Sequence, residues 1–496
     1  MSASTLPPLL VLAILAGYGV LLFAIGRLTA RRNGTPVGNA DFFLAERKSR
    51  WYVVAFGMIG TSLSGVTFVS VPGLVGTQGF SYLQMVLGYV PGYVVIALVL
   101  LPLYYRLQLV SIYGYLGSRF GTASARTGAA FFLLSRGLGI AARLFLVVQV
   151  LQWLVFDALG VPFVLTAATM VGIIWGYTRQ GGVRTVVWTD TLLTFCLLAA
   201  LGGTVWLLGT GLAGSPLAAL HAVAASDYAE AFRLTDPRAP DYFWKQFLGG
   251  MFIAIAMTGL DQDMMQKNLT CRSLPEAQRN VLWFSVALVG VNLLFLSLGA
   301  LLFMTAAANG WTPPVRPDEV YPWLATHPGI PLAVGLLFVL GMVAVAYSSA
   351  DSALAALTTS ACVDLLAIAE RPPAAQEALR RRVHLGMAGA LVGIMLVFHA
   401  VGSSSVINTV FMLATYTYGP LLGLFAFGLL VRRPVHDRFV PWVALAAPAL
   451  SWLLDRHSAA WFGGYRFGFE LLLVNGVLVM LGLWCCRRHA PPAPRP

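Results

Sequence analysis

Long apolar runs, each about 20 residues or more, alternate along the chain with short polar connections that carry most of the charges. A run of this length matches an α-helix that crosses a bilayer, whereas the strands of a membrane β-barrel alternate apolar and polar positions over about ten residues. The pattern therefore predicts an all-α, polytopic membrane protein with about 13 transmembrane helices. The predicted spans are 6–26, 51–75, 81–105, 127–156, 161–177, 185–208, 243–263, 280–307, 331–366, 383–401, 405–431, 439–454 and 468–486.

Lysine and arginine are distributed unevenly among the connections. With the N-terminus outside, the cytoplasmic connections hold 24 of these residues and the outer ones hold 6. Cytoplasmic loops carry the excess of positive charge in membrane proteins, so we predict a multi-pass cell-membrane protein with its N-terminus outside and its C-terminus in the cytoplasm. The first span has no basic residue before Arg27, so we interpret it as a retained span and not as a cleaved signal peptide.

Composition agrees with this interpretation. Hydrophobic residues make up 58% of the 496 positions and charged residues 10%, and the net charge is +12. Soluble domains carry about 25% charged residues, so a soluble enzyme, a disordered chain and a secreted disulfide scaffold are excluded. The basic residues punctuate apolar runs and do not cluster with aromatics, which argues against a nucleic-acid partner. The five cysteines show no pairing framework, and no structural disulfide is predicted.

Polar residues inside the second span are candidates for function. Its centre, residues 60–65, reads Gly-Thr-Ser-Leu-Ser-Gly. Such a stretch packs weakly as a helix, and carbonyls freed at a helix break are hard oxygen ligands for Na⁺. The alternative is close helix packing through small residues.

Two further spans place carboxyl groups at membrane depth, where ionisable groups mark functional sites. In the ninth span Ser348, Asp351 and Ser352 share one helical face, which suits a monovalent cation. Serine hydroxyls bonded to their own helix would explain the serines but not Asp351. In the sixth span Asp190 is either an end residue that reaches the interface or a cation ligand or proton carrier.

Arginines and a polar segment complete the set of buried candidates. Arg136 and Arg143 lie two turns apart in the fourth span, with Arg143 near its middle. An arginine at that depth needs an anionic or carbonyl partner, so Arg143 either pairs with a buried aspartate or binds a solute carboxylate. Asp261, Gln262, Asp263 and Gln266 end the seventh span and fit a gate or, as we favour, an interfacial network.

Motifs of covalent and nucleotide chemistry are absent from the sequence. It has no zinc-ligand spacing, phosphate-binding loop, dinucleotide fingerprint or nucleophile elbow. The chain is therefore predicted not to be an enzyme and to need no organic cofactor.

Several stretches together resemble the sodium:solute symporter family, whose members carry sugars, proline, sialic acid, iodide, vitamins and monocarboxylates. The similarity spans nearly the whole chain, and the stretches that carry it are Phe42–Gly73, Leu101–Gly121, Gln180–Phe195, Thr258–Lys267 and Gly341–Leu365. The resemblance implies a leucine-transporter-like fold, in which five spans form a repeat and five more form its inverted copy.

The resemblance also implies domain boundaries. Residues 1–50 would hold an extra helix and a cytoplasmic loop, and 51–208 the first five-helix repeat. Residues 209–242 would form an extracellular loop with room for a short amphipathic helix. The inverted repeat would occupy 243–431, and two C-terminal helices with a short tail would occupy 432–496.

Cation sites carry over from the family residue by residue. The common sodium site falls on Gly60, Leu63, Val345, Ser348 and Ser349, where Gly60 and Val345 replace the family's usual alanine. A possible second sodium site falls on Asp190, Ser348, Asp351 and Ser352, where Asp351 replaces an expected serine. Na⁺ is thus the expected co-transported ion and the only expected metal.

The identity of the solute is the least determined part of the predicted function. The family's sugar contacts are not reproduced, and the matching region offers Ser62, Thr67 and Gln84, with Arg143 nearby. We expect sodium-coupled symport, by alternating access, of a small organic anion such as a carboxylate or an acidic sugar. The alternatives are a neutral solute (sugar, amino acid or vitamin) and a sodium-permeable channel or sensor. The expected partners are the solute, Na⁺ and membrane lipid, with no nucleic acid and no obligate protein partner.

Overall fold

The computed structural model describes residues 6–31, 43, 47–401 and 406–488, and these residues are predominantly helical. The helices are α1 Pro8–Arg31, α2 Trp51–Ser62, α3 Gly65–Gln78, α4 Tyr82–Arg106, α5 Gly114–Arg119, α6 Thr122–Phe156, α7 Phe163–Ala213, α8 Pro216–Ala224, α9 Phe243–Gly259, α10 Gln262–Asn268, α11 Leu274–Ala308, α12 Pro317–Ala325, α13 Leu332–Leu365, α14 Pro373–Val401, α15 Val406–Leu430, α16 Val440–Trp461 and α17 Leu471–Cys485.

Each of the predicted spans coincides with a helix, with part of a helix or with a bent helix pair. Among the described residues, seven helices are long and apolar enough to cross a membrane, and two bent pairs raise the number to nine. The C-terminal part of α15 and α17 are shorter apolar helices. The all-α membrane architecture is therefore confirmed, while the full count of 13 crossings stays a prediction.

Two helices are broken at membrane depth, and each break opens one of the predicted repeats. The axes of α2 and α3 differ by 60°, and those of α9 and α10 by 70°. At the first break Leu63 and Ser64 are extended, and the Ser64 hydroxyl accepts a hydrogen bond from the backbone N–H of Thr67. At the second break the Asp261 side chain accepts hydrogen bonds from the backbone N–H groups of Asp263 and Met264. Side-chain acceptors thus replace the missing helical bonds.

A single glycine marks the kink between the two predicted spans at 161–177 and 185–208. Within α7, Gly182 has φ 52° and ψ −143°, a conformation that glycine adopts without a steric penalty. The chain therefore passes from one span to the next without a loop.

Backbone contacts pack α4 tightly against α9. A Cβ atom on Gly88 would lie 2.0 Å from the carbonyl oxygen of Phe247, and one on Gly250 would lie 2.1 Å from that of Met85. Small residues allow this approach because they present no side chain at the crossing. The pair is important for the site because both helices line it.

The predicted outer loop at 209–242 contains the nine-residue helix α8. Its residues Ala219 and Val223 are buried, but Leu217 and Leu220 are exposed, so the helix has apolar residues on both sides and is not the amphipathic helix that was expected. The boundaries assigned to the loop and to the two repeats remain predictions.

All five cysteines are free. Cys271 lies in the connection between α10 and α11, where burial raises the pKa of its thiol to about 12. A thiol with so high a pKa is unreactive near neutral pH.

Candidate cation and solute site

The end of α2 meets α7 and α13 where the sequence predicts the first sodium site. The backbone N–H of Gly60 donates to Thr194 Oγ1 at 3.1 Å. A Cβ atom on Gly60 would lie 3.2 Å from Ser348 Oγ. The structure thus brings Gly60 beside Ser348, and Leu63 follows at the helix break.

Ser349 differs from the other hydroxyl residues of α13. Thr358, Thr359 and Ser352 each donate to the carbonyl four residues earlier, at 2.7 to 3.1 Å. The Ser349 hydroxyl is buried and has no hydrogen-bond partner among the described residues, so it does not bond to the carbonyl of Val345. The Ser349 hydroxyl and the Val345 carbonyl, both predicted sodium ligands, are therefore not hydrogen-bonded to each other.

Asp190 carries a positive partner that the sequence reading missed. The Lys267 Nζ atom lies 2.5 Å from Asp190 Oδ2 and also contacts the Thr61 hydroxyl. Ser348 Oγ donates to the other carboxylate oxygen, Oδ1, at 2.6 Å. Lys267 is only 3% exposed and lies on α10, so it is a buried residue of this helix and not part of a loop.

Asp351 lies close to the same cluster but faces other donors. Its Oδ2 atom accepts hydrogen bonds from the Tyr177 and Thr189 hydroxyls, both at 2.9 Å. Its Oδ1 atom accepts one from the backbone N–H of Ser352 at 2.6 Å. Since Thr189 adjoins Asp190, the structure brings together the four residues predicted for the second site. Lys267 supplies one positive charge beside this pair of carboxyl groups.

Arg136 is the centre of a buried ionic network. Its guanidinium forms an ion pair with Asp263, and Nη1 lies 3.9 Å from Asp261 Oδ2. The Tyr418 hydroxyl donates to the same Asp261 oxygen at 2.5 Å. Asp261 therefore belongs to a network that joins α6, α10 and α15, the arrangement favoured from the sequence.

The two glutamines of the predicted gate or network also tie α10 to its surroundings. Gln262 accepts from the backbone N–H of Ile112 and donates to the carbonyl of Val110. Gln266 donates to the carbonyl of Phe43 and to the Thr359 hydroxyl. Through these bonds both side chains hold elements together in this structure.

A cavity with an empty volume of about 800 Å³, open solvent included, lies beside the α2–α3 break. Ser62 and Thr67, two of the predicted solute contacts, line it, as does Arg143. The opposite walls come from α9 and α11 through residues such as Thr258 and Asn292. Pockets that combine apolar walls with a few polar groups are typical of small-molecule sites.

Arg143 reaches this cavity with an uncommitted head group. It forms no ion pair or hydrogen bond with another described residue, and its Nε atom is buried without a partner. Arg136, seven residues earlier, holds the aspartates instead. Arg136, which also lines the cavity, is thus paired with buried carboxylates, whereas Arg143 has no ion pair among the described residues.

Gln84 does not line the cavity, so its prediction as a solute contact is corrected. Its side chain is fully buried. Its Nε2 donates to the carbonyl of Asp241 at 2.9 Å, and its Oε1 accepts from the backbone N–H of Arg233 at 2.9 Å. The Gln84 amide thus anchors the loop before α9 to the start of α4. Its nitrogen and its oxygen are both used in these bonds and do not contact a solute in the cavity.

Three tyrosines of α4 line the cavity and were not predicted. Tyr82, Tyr89 and Tyr93 all face it. Their separations of seven and four residues place them on one helical face. That spacing was a signal available in the sequence, and it identifies a row of tyrosines along one wall of the cavity.

Sequence comparison decides the family. The model of the sodium:solute symporter family matches residues 42–436, which is most of the chain. The protein belongs to the sodium:solute symporter family. The resemblance drawn from the motifs is confirmed, and the protein is a polytopic membrane transporter that couples solute movement to Na⁺. Because the family consists of transporters, the prediction that the chain is not an enzyme is also confirmed.

Curated symporters of this family align over large parts of the chain. The sodium/sialic acid symporter NanT of Aliivibrio fischeri is 23% identical and aligns over 96% of this chain and 94% of its own. The human sodium-coupled monocarboxylate transporter 1 is 25% identical over 84% of this chain and 68% of its own. The human sodium/iodide cotransporter is 28% identical over 55% of this chain and 42% of its own.

Solved structures support the fold of this symporter. A substrate-bound, outward-open Na⁺-coupled sialic acid symporter superposes with a TM-score of 0.78, 18% identity and 96% coverage of both chains. A nucleobase–cation symport-1 family transporter in a closed conformation gives a TM-score of 0.52 at 15% identity, over 91% of this chain and 94% of its own. The leucine-transporter-like fold is therefore confirmed, and it agrees with the helix breaks at residues 63–64 and 260–261.

Proposed function

We propose that this symporter carries a small organic anion, such as a carboxylate or an acidic sugar, together with Na⁺. The observation that supports the proposal is the guanidinium of Arg143 in the cavity, which has no anionic partner among the described residues. A planar guanidinium binds carboxylates through two parallel hydrogen bonds. An anionic solute would give this guanidinium a direct partner, in addition to the more distant charges of Asp261 and Asp263.

The names of three relatives point in the same direction. Sialic acid, iodide and monocarboxylates, which those relatives are named for, are all anions. Uptake into proteoliposomes tests the proposal directly. An acidic sugar, a monocarboxylate and a neutral sugar would be compared, each with an inward Na⁺ gradient and with choline in place of Na⁺. Na⁺-dependent uptake of the neutral sugar alone would contradict the proposal.

For the co-transported ion we propose the site formed by Gly60, Leu63, Val345, Ser348 and Ser349. Backbone carbonyls at a helix break and hydroxyl oxygens are the hard ligands that Na⁺ takes in such transporters. The close approach of Gly60 to Ser348 and the unpartnered hydroxyl of Ser349 support this assignment.

Ser349→Ala is expected to raise the half-saturating Na⁺ concentration several-fold while leaving the fold intact. The substitution removes one proposed oxygen ligand and breaks no hydrogen bond between described residues. The measurement is the Na⁺ dependence of solute uptake. Ser297→Ala is the matched control, because Ser297 Oγ donates only to a carbonyl of its own helix at 2.9 Å. An unchanged Na⁺ dependence in Ser349→Ala would remove this residue from the site.

The orientation of the chain is a further proposal, with the N-terminus outside and the C-terminus in the cytoplasm. Thr235 lies exposed in the loop before α9, and Ala378 lies exposed near the start of α14. A cysteine at position 235 is expected to react with an impermeant thiol reagent in intact cells, whereas a cysteine at 378 should react only after lysis. The labelling of the native cysteines in the unmodified protein is the background, and the reverse pattern would refute this topology.

A further inference from the structure

Lys267 places a positive charge among the oxygen atoms that were expected to hold a second Na⁺. It lies on α10, just after the second helix break, and its side chain is 3% exposed. Its ammonium contacts one oxygen of Asp190 and the hydroxyl of Thr61. These contacts come from a carboxylate and a hydroxyl group, the same kinds of oxygen that bind a monovalent metal ion.

The hydrogen bonds around Asp190 are arranged for a cation at this position. Thr61 Oγ1 lies 3.2 Å from Asp190 Oδ2, to which it donates, and its oxygen faces the ammonium. Ser348 donates to the opposite carboxylate oxygen at 2.6 Å. Both oxygens of the Asp190 carboxylate therefore already accept from donors, and a second cation there would compete with one ammonium and two hydroxyl groups.

The charge of Lys267 also opposes a Na⁺ ion at Asp190, whereas Asp351 has no ion-pair partner among the described residues and is held by three hydrogen bonds. Asp190 and Asp351 are the two carboxyl groups of the predicted second site, and Lys267 neutralises the one that Ser348 contacts. Adding Na⁺ to Asp190 would put two positive charges on one carboxylate inside the protein, where the repulsion is poorly screened. A buried ammonium that loses its carboxylate also pays a desolvation cost.

We propose that the ammonium of Lys267 is a built-in cation that fills the second cation position, so that the transporter binds one Na⁺ per cycle. This inference rests on the proposed sodium site that includes Gly60 and Ser349, which would be the single Na⁺ site of the transporter. It replaces the predicted second sodium site by an internal ion pair. With one Na⁺ and one monovalent anion, the cycle carries no net charge across the membrane.

The test is the number of Na⁺ ions bound by the purified full-length protein, measured by equilibrium binding of radioactive sodium. The unmodified protein is expected to bind about one Na⁺ with a Hill coefficient of about one, since that coefficient cannot exceed the number of sites. Lys267→Met frees Asp190 and is expected to bind about two Na⁺, with a Hill coefficient above one. Lys267→Arg keeps the charge and should bind about one.

A double variant controls for damage to the fold. Lys267→Met combined with Asp190→Asn removes both charges of the pair and should again bind about one Na⁺. Two Na⁺ on the unmodified protein would overturn the inference, as would an equal number of Na⁺ ions on the unmodified protein and on a folded Lys267→Met variant. If Lys267→Met does not fold, the count on the unmodified protein and the double variant decides.

Failure of the proposed function gives a different result. If the unmodified protein binds no Na⁺ and Lys267→Met binds one, the site at Gly60–Ser349 is wrong but Lys267 still occupies a cation position. Current recordings on proteoliposomes provide a second readout. The unmodified protein should transport a monovalent anion without net current, and a sustained inward positive current during Na⁺-driven uptake would contradict the inference.

Discussion

Arg143→Lys is expected to weaken the binding of an anionic solute by about 10- to 100-fold, although the charge is preserved. A lysine ammonium is a point charge and cannot reproduce the two parallel hydrogen bonds of a guanidinium. The loss of one hydrogen bond to a charged group costs about 1.5–3 kcal/mol, which corresponds to this range. The measurement is the half-saturating solute concentration for uptake into proteoliposomes at saturating Na⁺.

Arg126→Lys is the matched control, because Arg126 is an exposed arginine on the same helix, α6. It should leave solute affinity unchanged. The Na⁺ dependence should stay the same in both variants, which separates solute binding from damage to the cation site. If Arg143→Gln transports the best solute as well as the unmodified protein does, Arg143 has no part in solute binding.

Arg136→Gln is expected to lower the stability of the protein by about 3–5 kcal/mol, the cost typical of breaking a buried ion pair from one side. Arg136 is 4% exposed, and its partners Asp263 and Asp261 are 1% and 0% exposed. Without the guanidinium, two neighbouring carboxylates would remain in the interior without a cation. The measurement is the thermal unfolding midpoint of the purified protein, which should drop by many degrees.

Combining Arg136→Gln with Asp263→Asn tests whether the unpaired charge causes the loss of stability. The double variant removes one charge of each sign and should recover a large part of the lost stability, and the difference from the sum of the single variants gives the coupling between the two residues. Arg126→Gln serves as the exposed control on the same helix and should have little effect. Equal instability of the single and double variants would show that packing of the arginine, and not its charge, sustains this region.

The positions of the helices follow from the sequence because the membrane imposes one rule on every span. Apolar runs of sufficient length must become helices, since lipid offers no partner for backbone polar groups. The break at residues 63–64 was also accessible, because glycine and serine weaken the helix locally and Ser64 can cap the next one. The ion pair of Arg136 was not predicted, since an aspartate partner was considered only for Arg143.

Lys267 shows what the linear pattern does not reveal. It follows an apolar run and precedes Arg272 and Arg279, so its sequence context resembles a charged connection. The 70° bend before α10 turns the chain back into the protein and carries Lys267 to Asp190, 77 residues away in sequence. Gln84 is the opposite case, a polar residue near the site whose amide is committed to a loop that no local pattern predicts.

The close crossing of α4 and α9 determines which walls of the cavity can move. With Gly88 facing the carbonyl of Phe247, and Gly250 facing that of Met85, neither helix can slide along the other without a collision between main-chain atoms. The tyrosines of α4 and Thr258 at the end of α9 are thus carried on one stiff two-helix unit. Arg143 lies on a different helix, so the distance between the guanidinium and the tyrosine wall is free to change during the transport cycle. A solute that contacts both walls would therefore be bound or released by a rigid-body motion of the α4–α9 pair relative to α6. Neither unit would have to rearrange internally.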